Sequence, residues 1–204
     1  LTTPPWDPWG KGVATDEAYK SGILGLNPRP PIAALHPWQD EGDCFFTSHT
    51  VDARGTPPGA RLSVLLGHLV IPQDIAIEHI LKGATTDPNA RPKQIEVWAR
   101  FEDEEDLEKV RSWSATHVPV NTDTSVPPHV PLPRSFVKIS QFIYKDEELH
   151  DGVHVQHIND EFGKLNASTD QVVIRAVSNH DATDHTCFYR VRLFGKRVEI
   201  EIES

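Results

Sequence analysis

Eleven histidines and two cysteines are the residues of this chain with the widest chemical reach. His150, His154 and His157 fall within one short stretch. On a helix the three would share a face, whereas on a strand His154 and His157, an odd number apart, point to opposite faces. Gly152 and the β-branched Val153 and Val155 oppose a helix there. No cysteine lies nearby and no HExxH occurs, so no side-chain metal site is expected. These histidines read as surface polar residues on an edge strand. His185 and Cys187 are two apart, which places them on one face of a strand, where a Cys–His pair could make a nucleophile. A bond between Cys187 and Cys44 would abolish it. No G-x-S-x-G elbow is present, and the acidic run Glu102-Asp103-Glu104-Glu105-Asp106 reads as a solvated face. Paired catalytic carboxylates cannot be picked out, and no enzyme is expected.

Two further features are architectural. Gly42-Asp43-Cys44-Phe45-Phe46 follows the turn-rich stretch His36-Pro37-Trp38-Gln39-Asp40-Glu41, where several carbonyls could converge on a hard monovalent or divalent cation. An ordinary tight loop accounts for the same residues. The two cysteines fit either one disulfide or two core thiols. Asn166-Ala167-Ser168 is a glycosylation sequon, informative only if the chain faces an oxidising lumen.

The elements that must position these residues are mostly strands. At 204 residues the chain is long enough for one domain with a substantial core. Its formal charge of −10 and the absence of a basic block argue against nucleic acid as a partner. No apolar run approaches the ~20 residues of a bilayer span. The start, Leu1-Thr2-Thr3-Pro4-Pro5, is neither a signal peptide nor an initiator Met, so a fragment of a longer protein is expected. Strand patterns cover Arg61–Leu66 between Gly59 and Gly67, then Ile75, Ile77 and Ile80-Leu81 after Pro72. Others cover Ile95–Ala99, Phe136–Tyr144, Val153–Ile158, Gln171–Val177, Phe188–Phe194 and Arg197–Ile202. Joined by Gly, Pro, Asn and Asp turns, they predict an all-β, antiparallel sandwich. Glu102–Ser112, acidic at its start, predicts a short surface helix. Pro119, Pro127, Pro128, Pro131 and Pro133 predict a long exposed loop. Residues 1–30 read as an irregular segment, with Trp6, Trp9 and Trp38 as aromatic anchors that pin it to the core. One domain follows over residues 31–204, with residues 102–135 as an inserted helix and Pro-rich loop.

The C-terminal third carries a resemblance. Val172-Val173-Ile174-Arg175-Ala176-Val177-Ser178-Asn179 leads through a polar turn to His185-Thr186-Cys187-Phe188-Tyr189-Arg190-Val191-Arg192-Leu193-Phe194-Gly195. The Thr-Cys-x-Tyr-Arg-x-Arg-x-x-Gly spacing resembles the signature ending of SUN domains. Gly42–Phe46, Arg61-Leu62-Ser63 with Ile77-Glu78-His79-Ile80, and Pro92–Trp98 resemble three further segments of that family, in order. The resemblance covers roughly residues 30–100 and 136–196 and marks a divergent member.

It implies a discoidin-like β-sandwich in the perinuclear space. Such domains sit on a membrane-anchored homotrimeric stalk, here through a segment absent from the chain. They bind the C-terminal tail of KASH proteins, forming the LINC complex that couples nucleus and cytoskeleton. Cys44 and Cys187 match the family's disulfide pair. The loop His36–Asp43, with Ala33, His36, Trp38 and Asp43 offering backbone carbonyls, matches its site for a monovalent cation, potassium or sodium. His79 and Tyr189 match residues lining the KASH pocket, and Asn166 would be glycosylated. Two departures concern donors to the peptide carboxylate: His185 stands where the family has tyrosine, and Ala90 near a family hydroxyl. Residues Ala14–Arg29 correspond to the family's lid and lack the cysteine that some members bond to the peptide. The alternative expectation is a sandwich of the same kind that binds carbohydrate or another protein without KASH recognition.

Overall fold

The computed structural model describes residues 29–48, 60–119, 131–145, 151–182 and 185–199. Trp6, Trp9, most of the segment matched to the lid, His150 and the prolines from Pro127 to Pro128 lie outside them. Among the described residues the strands are β1 (Phe45–Ser48), β2 (Ala60–Glu78), β3 (Pro92–Arg100), β4 (Phe136–Ile143), β5 (Val153–His157), β6 (Thr169–Asn179), β7 (His185–Phe188) and β8 (Arg190–Arg197). The helices are α1 (Glu104–His117) and α2 (Asp160–Lys164). All pairings between these strands are antiparallel. The larger sheet runs β4-β3-β6-β2-β5, with β8 also on β2, and β1 pairs with β7 in a second, two-stranded sheet. This is the antiparallel β-sandwich that the strand pattern predicts.

The main core lies on the larger sheet. Leu62, Ile75, Ile77, Ile95, Val97 and Ile174 are nearly inaccessible, and Phe45 and Phe188 reach them from the small sheet. Helix α1 adds Leu107, Val110 and Trp113 to the same core. The predicted surface helix is therefore longer and half-buried. Asp103 caps it by accepting from the Asp106 amide at 3.0 Å, which starts it two residues later than expected. Apolar residues at 107, 110 and 113 keep the helical period beyond Ser112, and Pro119 then restricts Val118. Helix α2 went unpredicted because one turn leaves no periodicity to read.

Three strand expectations are corrected. The runs on either side of Gly67 and Pro72 form one strand, β2. Gly67 takes a positive φ of 72° where the β6 register shifts, and Pro72 sits at the β8 register shift, where its missing amide is tolerated. That strand ends at Glu78, so Ile80-Leu81 falls outside it. The run Phe188–Phe194 is two strands, because the chain leaves the small sheet and enters the large one at Tyr189. The predicted strand from Arg197 has only that residue in β8, and 198–199 are not strand.

Gly195, the last residue of the Tyr-Arg-x-Arg-x-x-Gly run, lies where β8 crosses the β2 irregularity. A Cβ there would stand 2.3 Å from the Ile71 carbonyl oxygen and 2.7 Å from Val70 Cγ1. Backbone cannot swing aside as a side chain can. Gly195→Ala is expected to cost about 1–3 kcal/mol, the usual range for overpacking. Thermal unfolding should then move down by roughly 3–10 °C. An unchanged midpoint would show that the two strands can separate without loss.

Candidate binding pocket at the disulfide

A second, smaller apolar cluster lies apart from the main core. It consists of Cys44, Phe46, Ile80, Ala90, Cys187 and Tyr189, with Trp38 and Ala182 against it. Strand alternation creates it. In the β1–β7 pair Phe45 faces Phe188 on one side, and Phe46 faces Cys187 on the other. Cys44 and Cys187 are bonded, with Cα atoms 5.7 Å apart. The Cys–His nucleophile that the spacing allowed therefore has no thiol. Asn179, at the end of β6, donates through its side-chain amide to the carbonyls of Ala182 and His185 at 3.0 and 2.9 Å. That closes the turn before β7 and accounts for the Ser-Asn ending of the motif.

Tyr189 ties the cluster to the His36–Asp43 loop. Its hydroxyl oxygen accepts from the Gly42 amide at 3.0 Å, so its own proton remains free for another acceptor. Its ring meets His79 edge-on at 4.7 Å and Trp38 at 5.2 Å. Burial raises the Tyr189 phenol above its ordinary pKa. His79 is 1% exposed. Its Nδ1 lies 2.9 Å from the Ile80 carbonyl, which can only accept, so the proton sits on Nδ1 and Nε2 is a bare acceptor. That Nε2 is buried without a partner among the described residues. Burial pushes the pKa of His79 down to about 3, outweighing the Ile80 carbonyl. Its amide donates to Gly152 at 3.0 Å, and Tyr144 donates to the same carbonyl at 2.7 Å. Gly152 has φ 74°, and a Cβ would come within 2.1 Å of the His79 carbonyl, so only glycine fits there.

The pocket is walled by Gly42, Cys44, Phe46, His79, Ala90 and Tyr189, and its cavity is about 20 Å³. Segment 82–90 closes it. Thr86 donates to the Glu41 carboxylate through its amide and, at 2.7 Å, through its hydroxyl. Asp87 lies 2.5 Å from His185 Nε2. The Thr86 amide holds the pKa of Glu41 below its ordinary value, and the His185 hydrogen bond does the same for Asp87. His185 is 4% exposed, with Phe46 edge-on at 5.5 Å. The fold thus brings His79, Ala90, His185 and Tyr189 to one place.

The four loop residues Ala33, His36, Trp38 and Asp43 line a separate open depression of about 270 Å³ beside it. There the Asp43 carboxylate is ion-paired with Arg29 at 2.5 Å, which lowers its pKa, and the Ala33 carbonyl accepts from the His36 amide at 3.2 Å. Asp43 is the one carboxylate lining this depression among the described residues, and Arg29 already balances it. A monovalent cation held there would rest on backbone carbonyls, of which that of Ala33 already accepts the His36 amide. His154 and His157 do face opposite ways: His154 stacks on Phe142 at 5.0 Å, while His157 bridges Asp74 and Asp160 at 2.7 and 2.8 Å. No group of three metal-ligating side chains occurs among the described residues. Asn166 is exposed with φ 54°, just past α2, so its side chain is accessible to modification. No described helix is long and apolar enough to cross a membrane.

Two outcomes follow from this geometry. The disulfide spans 143 residues, and the chain-entropy relation assigns such a loop about 5 kcal/mol. Non-reducing mass spectrometry should find no alkylatable thiol, and Cys44→Ser with Cys187→Ser should unfold at much lower denaturant. Stability should also fall below neutral pH through His79. The unfolded chain takes up that proton near pH 6.5, whereas the folded one resists until about 3. The stability given by neutral His79 is complete above the unfolded pKa and is lost as pH falls toward the folded one, by at most about 1.4 kcal/mol per pH unit. Denaturant titrations between pH 7 and 4.5 should show a slope that His79→Gln flattens. An equal slope in both proteins would assign the acid sensitivity elsewhere.

No family model matches the chain, and no curated protein matches its sequence. Solved structures similar in chain path include the F5/8 type C domain of a Bacteroides fragilis protein, at 10% identity and TM-score 0.49, covering 88% of this chain and 87% of that one. A SusE-like protein matches at 13% identity and TM-score 0.49, over 91% of this chain and 93% of its own. The C-terminal domain of a Bacteroides fragilis chitobiase matches at 9% identity and TM-score 0.41, over 76% and 74%.

Proposed function

We propose that this chain is a noncatalytic ligand-binding β-sandwich whose site is the pocket behind the Cys44–Cys187 bond, and that its ligand is the C-terminal tail of a KASH protein. The domain would then work in the perinuclear space, within a trimer anchored in the inner nuclear membrane. The observation that carries this reading is convergence. Residues matched to the SUN family by short motifs at 36–46, 77–80 and 185–195 surround one pocket, although they are up to about 150 positions apart. The pocket chemistry suits a chain end. Tyr189 has a proton to give to a carboxylate, and His79 Nε2 can accept the last peptide N–H.

A second reading rests on the acidic side of the pocket. Glu41 and Asp87 with the rings of Trp38 and Tyr189 offer acceptors and aromatic faces, which also suit the hydroxyls and apolar faces of a sugar. The two readings separate in one experiment. KASH tails with a free or an amidated C-terminus are titrated into the chain, as a monomer and fused to a trimeric coiled coil. The free tail should bind the trimer much more tightly than the monomer, through avidity. Amidation should weaken it at least tenfold. Loss of binding to soluble oligosaccharide, with no effect of amidation, would favour the sugar reading and overturn the first.

A further inference from the structure

A cavity of about 20 Å³ holds little more than one water molecule. A peptide terminus cannot enter it unless something moves. The wall formed by the disulfide, Phe46 and Tyr189 is held by covalent and sheet contacts, whereas segment 82–90 is held differently. Its far end is fixed: Arg91 is 1% exposed with its Nε donating to the Pro88 carbonyl at 2.6 Å, and the His180 amide donates to Asn89 and Arg91 carbonyls at 3.1 and 3.2 Å. Its middle carries two polar contacts over the pocket, Thr86 to Glu41 and Asp87 to His185. Both are near the surface, with the Asp87 side chain 37% exposed, while His185 is 5% exposed.

We propose that segment 82–90 is an autoinhibitory strap, with the Asp87 carboxylate occupying on His185 the place that a ligand carboxylate takes on binding. This rests on the reading of the pocket as a site for a carboxylate-bearing chain end. His185 Nε2 meets an oxygen of a carboxylate at 2.5 Å, which is the contact an incoming terminus would make. The internal carboxylate arrives tethered, at an effective concentration on the order of millimolar or more, and a ligand must outcompete it. Apart from His185, among the described residues the Asp87 carboxylate is helped only by the Ala90 backbone amide of its own 88–90 turn, a contact within the strap that does not tie it to the pocket wall. Once released, it can swing toward solvent with the exposed half of the strap, and the cavity opens on the side of Thr85 and Thr86.

The test uses acetate as the probe and acetamide as its neutral control. The imidazole resonances of His185 are followed by NMR in the oxidised protein and in Asp87→Ala. Acetate should shift them saturably in Asp87→Ala at a concentration at least tenfold below that needed in the unsubstituted protein, and acetamide should not. Asp87→Asn, which keeps the shape and loses the charge, serves if the alanine protein fails to fold. Equal acetate responses in both proteins, or no response in either, would overturn the strap. Peptide tails separate this from the function itself. Acetate responses as expected without binding of any KASH tail would sink the KASH reading alone. Tails that bind with equal affinity with and without Asp87 would sink the strap alone.

Discussion

The two-stranded sheet of β1 and β7 is the constraint on which the rest depends, because it is a partition with a different core on each side. Phe45 and Phe188 face the main core, while Phe46 and Cys187 face the pocket. A strand alternates faces by geometry, so one short pairing supplies both surfaces. Two strands of four residues are too small to hold their place unaided. The Cys44–Cys187 bond fixes them covalently, and the two phenylalanines bury them against the larger sheet. Tyr189 then takes the chain out of this partition into β8, and its hydroxyl holds the Gly42 amide on the way. Sheet transfer and pocket wall are the same residue.

Separate cores let fold and site change independently. Ala90, His185 and Asp87 lie with the smaller cluster and none belongs to the main core. A hydroxyl or a phenol can be lost there without opening a cavity among Leu62, Ile75 and Ile95. Gly152 and Gly195 cannot vary so freely, since each lies within 2.5 Å, at its would-be Cβ, of a carbonyl oxygen of a neighbouring segment. At both glycines backbone meets backbone, which leaves no room for a side chain.

This division decides what the sequence could reveal. The runs at 95–99, 136–143 and 171–177 read directly as strands because they are short, rich in β-branched and aromatic residues and bounded by turns, even at 171–177 where burial of every residue leaves no alternation. Helix α1 was recognised from its acidic start, but its burial was not, since Leu107, Val110 and Trp113 lie among charged neighbours. The break at Tyr189 left one sign, the adjacent buried aromatics Phe188 and Tyr189 that shift the apolar phase, but in a run of strand formers such a pair does not show that the chain changes sheets. Asp87 and Glu41 were missed as pocket residues for a related reason. Asp87-Pro88-Asn89 looks like ordinary turn chemistry, and its partner His185 is 98 positions away.

The charge balance of the pocket follows from the same exchange. A tyrosine at position 185 could donate to a carboxylate through its hydroxyl, which would need a partner when no ligand is bound. Histidine brings a ring nitrogen that must be satisfied when 4% exposed, and an unpaired buried donor costs about 1–3 kcal/mol. Asp87 satisfies it, and adds a second carboxylate to a rim that already has Glu41. Both carboxylates are held below their ordinary pKa, so both are ionised at neutral pH. In the proposed strap, an anionic ligand meets the repulsion of both carboxylates while Asp87 is seated, and takes the place of Asp87 on His185 once it has left. In that proposal the position of the strap, more than the wall behind it, decides whether an anion enters.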